Sequence, residues 1–190
     1  MLNQMLIFLL DTLLGLFSLA LLLRFYMQLM RAPYRNPISQ FLMSLTDFLV
    51  KPARRVIPSF RGMDFPTLLL AWLTQLFLLA SIHMLQGYNF SSTIGIAMGG
   101  LSLLALMEII KMTLYIVMAA VLMQAVLSWV NPSSPIAPTL DSFMRPFLGV
   151  IRKRIPPIAN VDLSPLFVLI AIQLLLFLVG GVEREISRLF

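Results

Sequence analysis

The sequence predicts an all-α integral membrane protein, with four transmembrane helices forming two parallel tandem repeats. Each repeat is a span, an amphipathic hairpin and a second span. Three observations carry this prediction. Of 190 residues, 59% are hydrophobic and 12% charged, against roughly 45–50% and about 25% in an average soluble domain. The apolar residues gather into stretches long enough to cross a bilayer, which takes about 20 helical residues. Ten of the fourteen Lys and Arg residues fall in two connections between those stretches.

The first span covers residues 5–30 and contains Asp11 and Arg24. It does not have the pattern of a cleavable leader, because residues 1–4 carry no basic side chain and no small-residue cleavage pattern follows. The second span covers residues 65–86 and the last covers 164–182. Between them lies an apolar run over residues 93–130, interrupted by Glu108 and Lys111. As one helix it would be about 55 Å long, more than one upright span needs. The preferred division is a span over 108–130 preceded by a short apolar or re-entrant piece, weakened as a helix by Gly95, Gly99 and Gly100.

Charge placement selects the topology. Arg31, Arg35, Lys51, Arg54, Arg55 and Arg61 occupy the connection after the first span, and Arg145, Arg152, Lys153 and Arg154 the one before the last. Short basic loops stay in the cytoplasm. Four spans put both connections on that side and both termini outside, whereas five spans would separate them. The net charge of +6 is therefore first a topology signal, and nucleic acid is not an expected partner.

The two halves match at a constant offset. Ala53-Arg54-Arg55-Val56-Ile57-Pro58 aligns with Ile151-Arg152-Lys153-Arg154-Ile155-Pro156, and Met63-Asp64-Phe65 with Val161-Asp162-Leu163, each 98 residues on. This divides the chain into residues 1–92 and 93–190. An even number of crossings per unit makes the halves parallel.

Each connection carries an amphipathic stripe. Ile38, Phe41, Leu42, Leu45, Phe48 and Leu49 form one, with Ser39, Gln40, Thr46 and Asp47 off it. Leu140, Phe143, Met144, Phe147, Leu148 and Ile151 form the other. Too short to cross, such helices are expected flat in the interface with the apolar face in lipid. The clusters Arg54, Arg55 and Arg152, Lys153, Arg154 then lie at headgroup level, where each basic residue near an anionic surface is worth about 1 kcal/mol. They serve topology and anchoring, or they form a specific site for anionic lipid or a membrane-protein partner. Asp64 and Asp162 precede Pro66 and Pro165, the pattern of an N-cap with proline in the first turn. The alternative is that each aspartate also pairs with nearby arginines and braces the hairpin.

These motifs resemble the YggT (YlmG) family of small bacterial membrane proteins. The resemblance rests on Arg54-Arg55-Val56-Ile57-Pro58 followed by Asp64 and Pro66, on Asn36-Pro37 and Ser39-Gln40-Phe41, and on Leu127-Ser128-Trp129-Val130. Arg24 matches a basic position common at the end of the family's first span, with Gln124 in the corresponding place of the second half. Pro52 and Pro146 each keep only part of the family's double-proline pattern. The resemblance implies a multi-pass protein of the bacterial inner (plasma) membrane associated with osmotic tolerance. In relatives it implies roles in cell-division or thylakoid-membrane organisation and cytochrome assembly. It brings no catalytic residues.

Charged and amide side chains at bilayer depth are the remaining candidates. Asp11 and Lys111 are expected at similar depth as a neutralising pair, and Glu108 and Lys111 are spaced to pair locally. Arg24 is expected to snorkel to the headgroups. Gln75 and Gln173, again 98 apart, suggest a glutamine pair near the pseudo-symmetry axis. The chain has no cysteine and one histidine, His83, so no metal site, cofactor or nucleophile–base constellation is expected. The expected function is that of a non-enzymatic scaffold or assembly/osmotic-tolerance factor whose paired basic amphipathic hairpins at the cytoplasmic leaflet meet anionic lipid, a membrane-protein partner or a second copy of the chain. The alternative is an oligomeric ion or osmolyte channel or transporter using the intramembrane charges.

Overall fold

The computed structural model describes residues 1–30, 37–58, 63–87, 94–130, 134, 136–152 and 162–188. Among them are six helices: α1 (Leu2–Leu29), α2 (Pro37–Val56), α3 (Phe65–Leu85), α4 (Ile94–Val130), α5 (Ala137–Arg152) and α6 (Ser164–Ser187). Four of these, α1, α3, α4 and α6, are long and apolar enough to cross a membrane. Their outer surfaces carry Phe8, Leu16, Phe77, Leu174 and Phe177, all exposed. A continuous apolar exterior of this kind needs lipid around it.

Helices α1 and α3 run antiparallel. Asn3 Nδ2 donates to Leu85 O at 3.2 Å near one end, and the buried Ser18 Oγ donates to Ala71 O at 3.3 Å further along. Such bonds matter in lipid, where association has no hydrophobic driving force between helices. Helices α4 and α6 form the second antiparallel pair. Trp72 Nε1, donating to Ser102 O at 3.2 Å, and the Tyr26–Thr113 hydroxyl pair at 2.9 Å tie α4 to α3 and α1. The core lies where the pairs meet, around Leu21, Leu22, Ala71, Val117, Val121 and Met144.

Helix α3 starts at Asp64, whose carbonyl accepts from Thr67 N and Leu68 N, with Pro66 in the first turn. It ends at Gly87, whose φ of 87° places it in the left-handed region that closes helices cheaply only at glycine.

Two expectations are corrected. Residues 94–107 are neither a separate nor a re-entrant piece, because α4 is one unbroken helix of 37 residues. Ala97, Leu101, Leu104 and Ala105 are buried, and this packing outweighs the roughly 1 kcal/mol that each glycine loses against alanine. Glu108 and Lys111 therefore sit well inside α4, not at its outer end. The second correction concerns the stripes. Helix α5 turns Leu140, Phe143, Met144 and Leu148 inward to the core, not toward lipid. Helix α2 does expose Ile38, Phe41, Leu45 and Phe48, while Ser39, Leu42, Thr46 and Val50 are buried.

Candidate functional site: the polar seam of α1, α2 and α3

The inward-facing Ser39 and Thr46 of α2 meet a charge on α1. Arg24 is 8% exposed. Its Nη1 donates to Thr46 Oγ1 at 2.7 Å and to Asp47 Oδ1 at 2.8 Å. Thr46 Oγ1 in turn donates a hydrogen bond to Leu42 O at 2.6 Å. Asp47 also pairs with Lys51 at 2.8 Å, one helical turn along. The hydrogen bond from Lys51 is the largest influence on the Asp47 carboxyl. With the bond and charge of Arg24 it holds that carboxyl below the usual carboxylate range, against the opposing effect of burial. Arg24 thus does not snorkel. It is covered by α2 and neutralised there. Its Nε is buried with no hydrogen-bond partner among the described residues.

One turn further, Arg54 joins three helices. Its Nη2 donates to Gln28 Oε1 of α1 at 2.9 Å, and its Nε to Asp64 Oδ1 at 3.2 Å. Nη2 also bonds Asp64 Oδ2, which accepts from the Thr67 hydroxyl as well. The Asp64 side chain is fully buried. Asp64 occupies the N-cap position, but its carboxylate makes no capping bond to the backbone. It braces the hairpin through Arg54. Asp162 does accept from a helix-start amide, Ser164 N, at 2.9 Å.

Arg24, Gln28, Ser39 and Arg54 line a cavity of about 150 Å³ between α1 and α2. Arg55 is exposed beside it on the last turn of α2. Lys153 and Arg154 lie outside the described residues, as does the side chain of Arg152. In the second half, Gln124 Nε2 donates to Asp141 Oδ1. There, as with Arg24 and Asp47, a long helix reaches an aspartate on the next amphipathic helix.

The intramembrane charges are arranged differently from expectation. Lys111 Nζ pairs with Glu108 at 2.6 Å, as the spacing allowed, and with Glu183 of α6 at 2.9 Å. Asp11 takes no part, being exposed on α1. The antiparallel packing of α6 on α4 brings Glu183 to Lys111. Gln75 is buried in α3, while Gln173 is exposed on α6 and donates to Met118 Sδ at 3.5 Å. The two glutamines lie on different helix pairs. His83 Nδ1 lies 2.8 Å from Leu79 O, within its own helix.

Sequence reasoning missed Asp47, Gln28 and Glu183 as members of these networks. Asp47 had a visible signal, its spacing of four and seven residues from Lys51 and Arg54 on one helical face. Glu183 had none, since its partner is 72 residues away.

A membrane-type bundle of four long apolar helices and two short amphipathic ones, with a buried arginine seam and no strand among the described residues, is a multi-pass membrane protein. A sequence model of the CCB3/YggT family matches residues 3–85 and 103–182, and the chain belongs to that family. It is 38% identical over 180 residues to an uncharacterized protein of Pseudomonas aeruginosa, covering 94% of this chain and 89% of that one. It is 33% identical over 169 residues to the uncharacterized protein YggT of Escherichia coli K12, covering 88% and 85%. An uncharacterized protein of Vibrio alginolyticus is 32% identical over 179 residues, covering 92% and 93%. No solved structure matches significantly.

Proposed function

We propose that this chain is a non-enzymatic scaffold or assembly factor of the bacterial inner membrane. Its two basic hairpins face the cytoplasm and hold anionic lipid or a membrane-bound partner there. The observation that carries the proposal is the exterior of α2. Phe41, Leu45 and Phe48 are exposed on the same helix as Lys51 and Arg55. Apolar side chains for the acyl boundary and cations for headgroups are what an interfacial helix requires. The Arg54–Asp64 brace holds that helix against α3. The separate matches of the family model to residues 3–85 and 103–182 support two span–hairpin–span units, of which the first carries this outward apolar stripe.

Arg54 is part of the brace, so the test leaves it alone. Arg55, Arg152, Lys153 and Arg154 are reversed to glutamate together in a strain lacking the gene, and rescue is measured as growth after an osmotic upshift. The expected result is normal membrane insertion with loss of rescue. Full rescue by the reversed protein overturns the proposal.

A further inference from the structure

Two cavities meet at Met27. The polar one, described above, is walled by Arg24, Gln28, Ser39 and Arg54. The second is an apolar groove of about 840 Å³ between α1 and α4, with Leu23, Tyr115, Ala119, Met123 and Phe143 in its walls. Met27 lines both, and consecutive residues of α2, Ile38 and Ser39, line the groove and the polar cavity respectively. Ser39 Oγ donates to Met27 Sδ at 3.8 Å, so the shared wall is held in place.

From this arrangement we infer that the junction is a binding site for one anionic phospholipid, with its phosphate in the Arg24–Arg54 cavity and its acyl chains in the groove. This rests on the lipid-holding role proposed above and names the site and the lipid class. Three features select this occupant. The charged side chains in the lining of the polar cavity are both arginines, Arg24 and Arg54, while their carboxylate partners Asp47 and Asp64 stand outside that lining. The buried Nε of Arg24, with no partner among the described residues, is a donor that an acceptor oxygen would satisfy. The cavity far exceeds the roughly 10–15 Å³ that admits a water, so a phosphate-sized group fits. The groove follows α1 from Met27 back to Leu19, about 12 Å along the helix axis and away from the hairpin end. That is the direction acyl chains take from a headgroup held at the hairpin. A free anion has no use for the groove, and a neutral lipid has none for the arginines.

The test is native mass spectrometry of the full chain released from micelles doped with equal amounts of diacyl phosphatidylglycerol and phosphatidylcholine. One phosphatidylglycerol per chain is expected to survive release, with at least a tenfold preference over phosphatidylcholine. Gln28→Glu places a carboxylate opposite Arg54 and should cut that retention at least tenfold. Ala119→Phe, at an exposed position of the groove wall, should do the same while leaving binding of inorganic phosphate unchanged. Equal retention of the two lipids overturns the inference, as does retention that neither variant alters. Inorganic phosphate that binds as tightly as the lipid, with no dependence on chain length, assigns the arginine cavity to soluble phosphate and also overturns it. Both variants keep the basic clusters of the hairpins. Loss of the retained lipid with intact osmotic rescue therefore sinks only the lipid site's role. Loss of rescue by the charge-reversed hairpins is a separate result.

Discussion

Arg24 and Asp47 form an ion pair at 2.8 Å between the transmembrane helix α1 and the amphipathic helix α2, with Arg24 almost fully buried. The pair explains how a buried arginine is tolerated near the end of an apolar helix and why Thr46 of α2 faces inward. A buried cation needs a partner, and Thr46 and Asp47 are the side chains that α2 offers.

Removing the acceptor therefore does more harm than removing both partners. Asp47→Ala leaves Arg24 buried without its carboxylate and is expected to destabilise the fold by roughly 3 kcal/mol. Arg24→Met with Asp47→Ala should recover part of that loss. Thermal unfolding of the purified single and double variants in detergent measures the coupling, and additive effects would show that the pair contributes nothing.

The same pair sets a pH dependence. The Asp47 carboxyl is held below its ordinary value in the folded protein, so its contribution is fully present above the unfolded value of about 3.9. It is lost as pH falls through the lower folded value. Melting temperature followed from pH 7 to pH 3 should show wild type and Asp47→Asn converging only at the acid end. Convergence already at pH 6 would contradict this assignment.

Asp64 is expected to behave as a brace. Asp64→Ala removes the carboxylate partner of Arg54 and strands the Thr67 hydroxyl, and should destabilise more than Thr67→Val, which removes one hydrogen bond and should cost about 1 kcal/mol. Limited proteolysis between α2 and α3 is the readout, with faster cleavage for Asp64→Ala. Equal cleavage of the two variants would reduce Asp64 to an ordinary helix start.

Lys111 holds two carboxylates, Glu108 and Glu183. Lys111→Met leaves them facing each other and should loosen α6 from α4. Glu183→Gln added to Lys111→Met should restore much of the stability. Cross-linking between cysteines placed on the two helices, with thermal unfolding, checks both steps. An Asp11→Asn change is expected to leave stability within about 0.5 kcal/mol, as for an exposed side chain with no specific role.

The class of the protein, the positions of three of its four long apolar helices and the two amphipathic helices between them were legible in the sequence. Apolar run length and the exclusion of charge from lipid are properties of consecutive residues, so they survive without knowledge of the fold. The charge spacing of Asp47, Lys51 and Arg54 was equally local. Tertiary structure decided the rest. It joined residues 94–130 into one helix, because Leu101 and Ala105 are buried despite the neighbouring glycines. It gave Arg24 to Asp47, Lys111 to Glu183 and Arg54 to Asp64. It also turned the stripe of α5 inward while leaving that of α2 partly outward. Each of these depends on the rotation and register of one helix against another. A hydropathy pattern identifies an apolar face, but only the packed neighbours decide whether lipid or protein covers it.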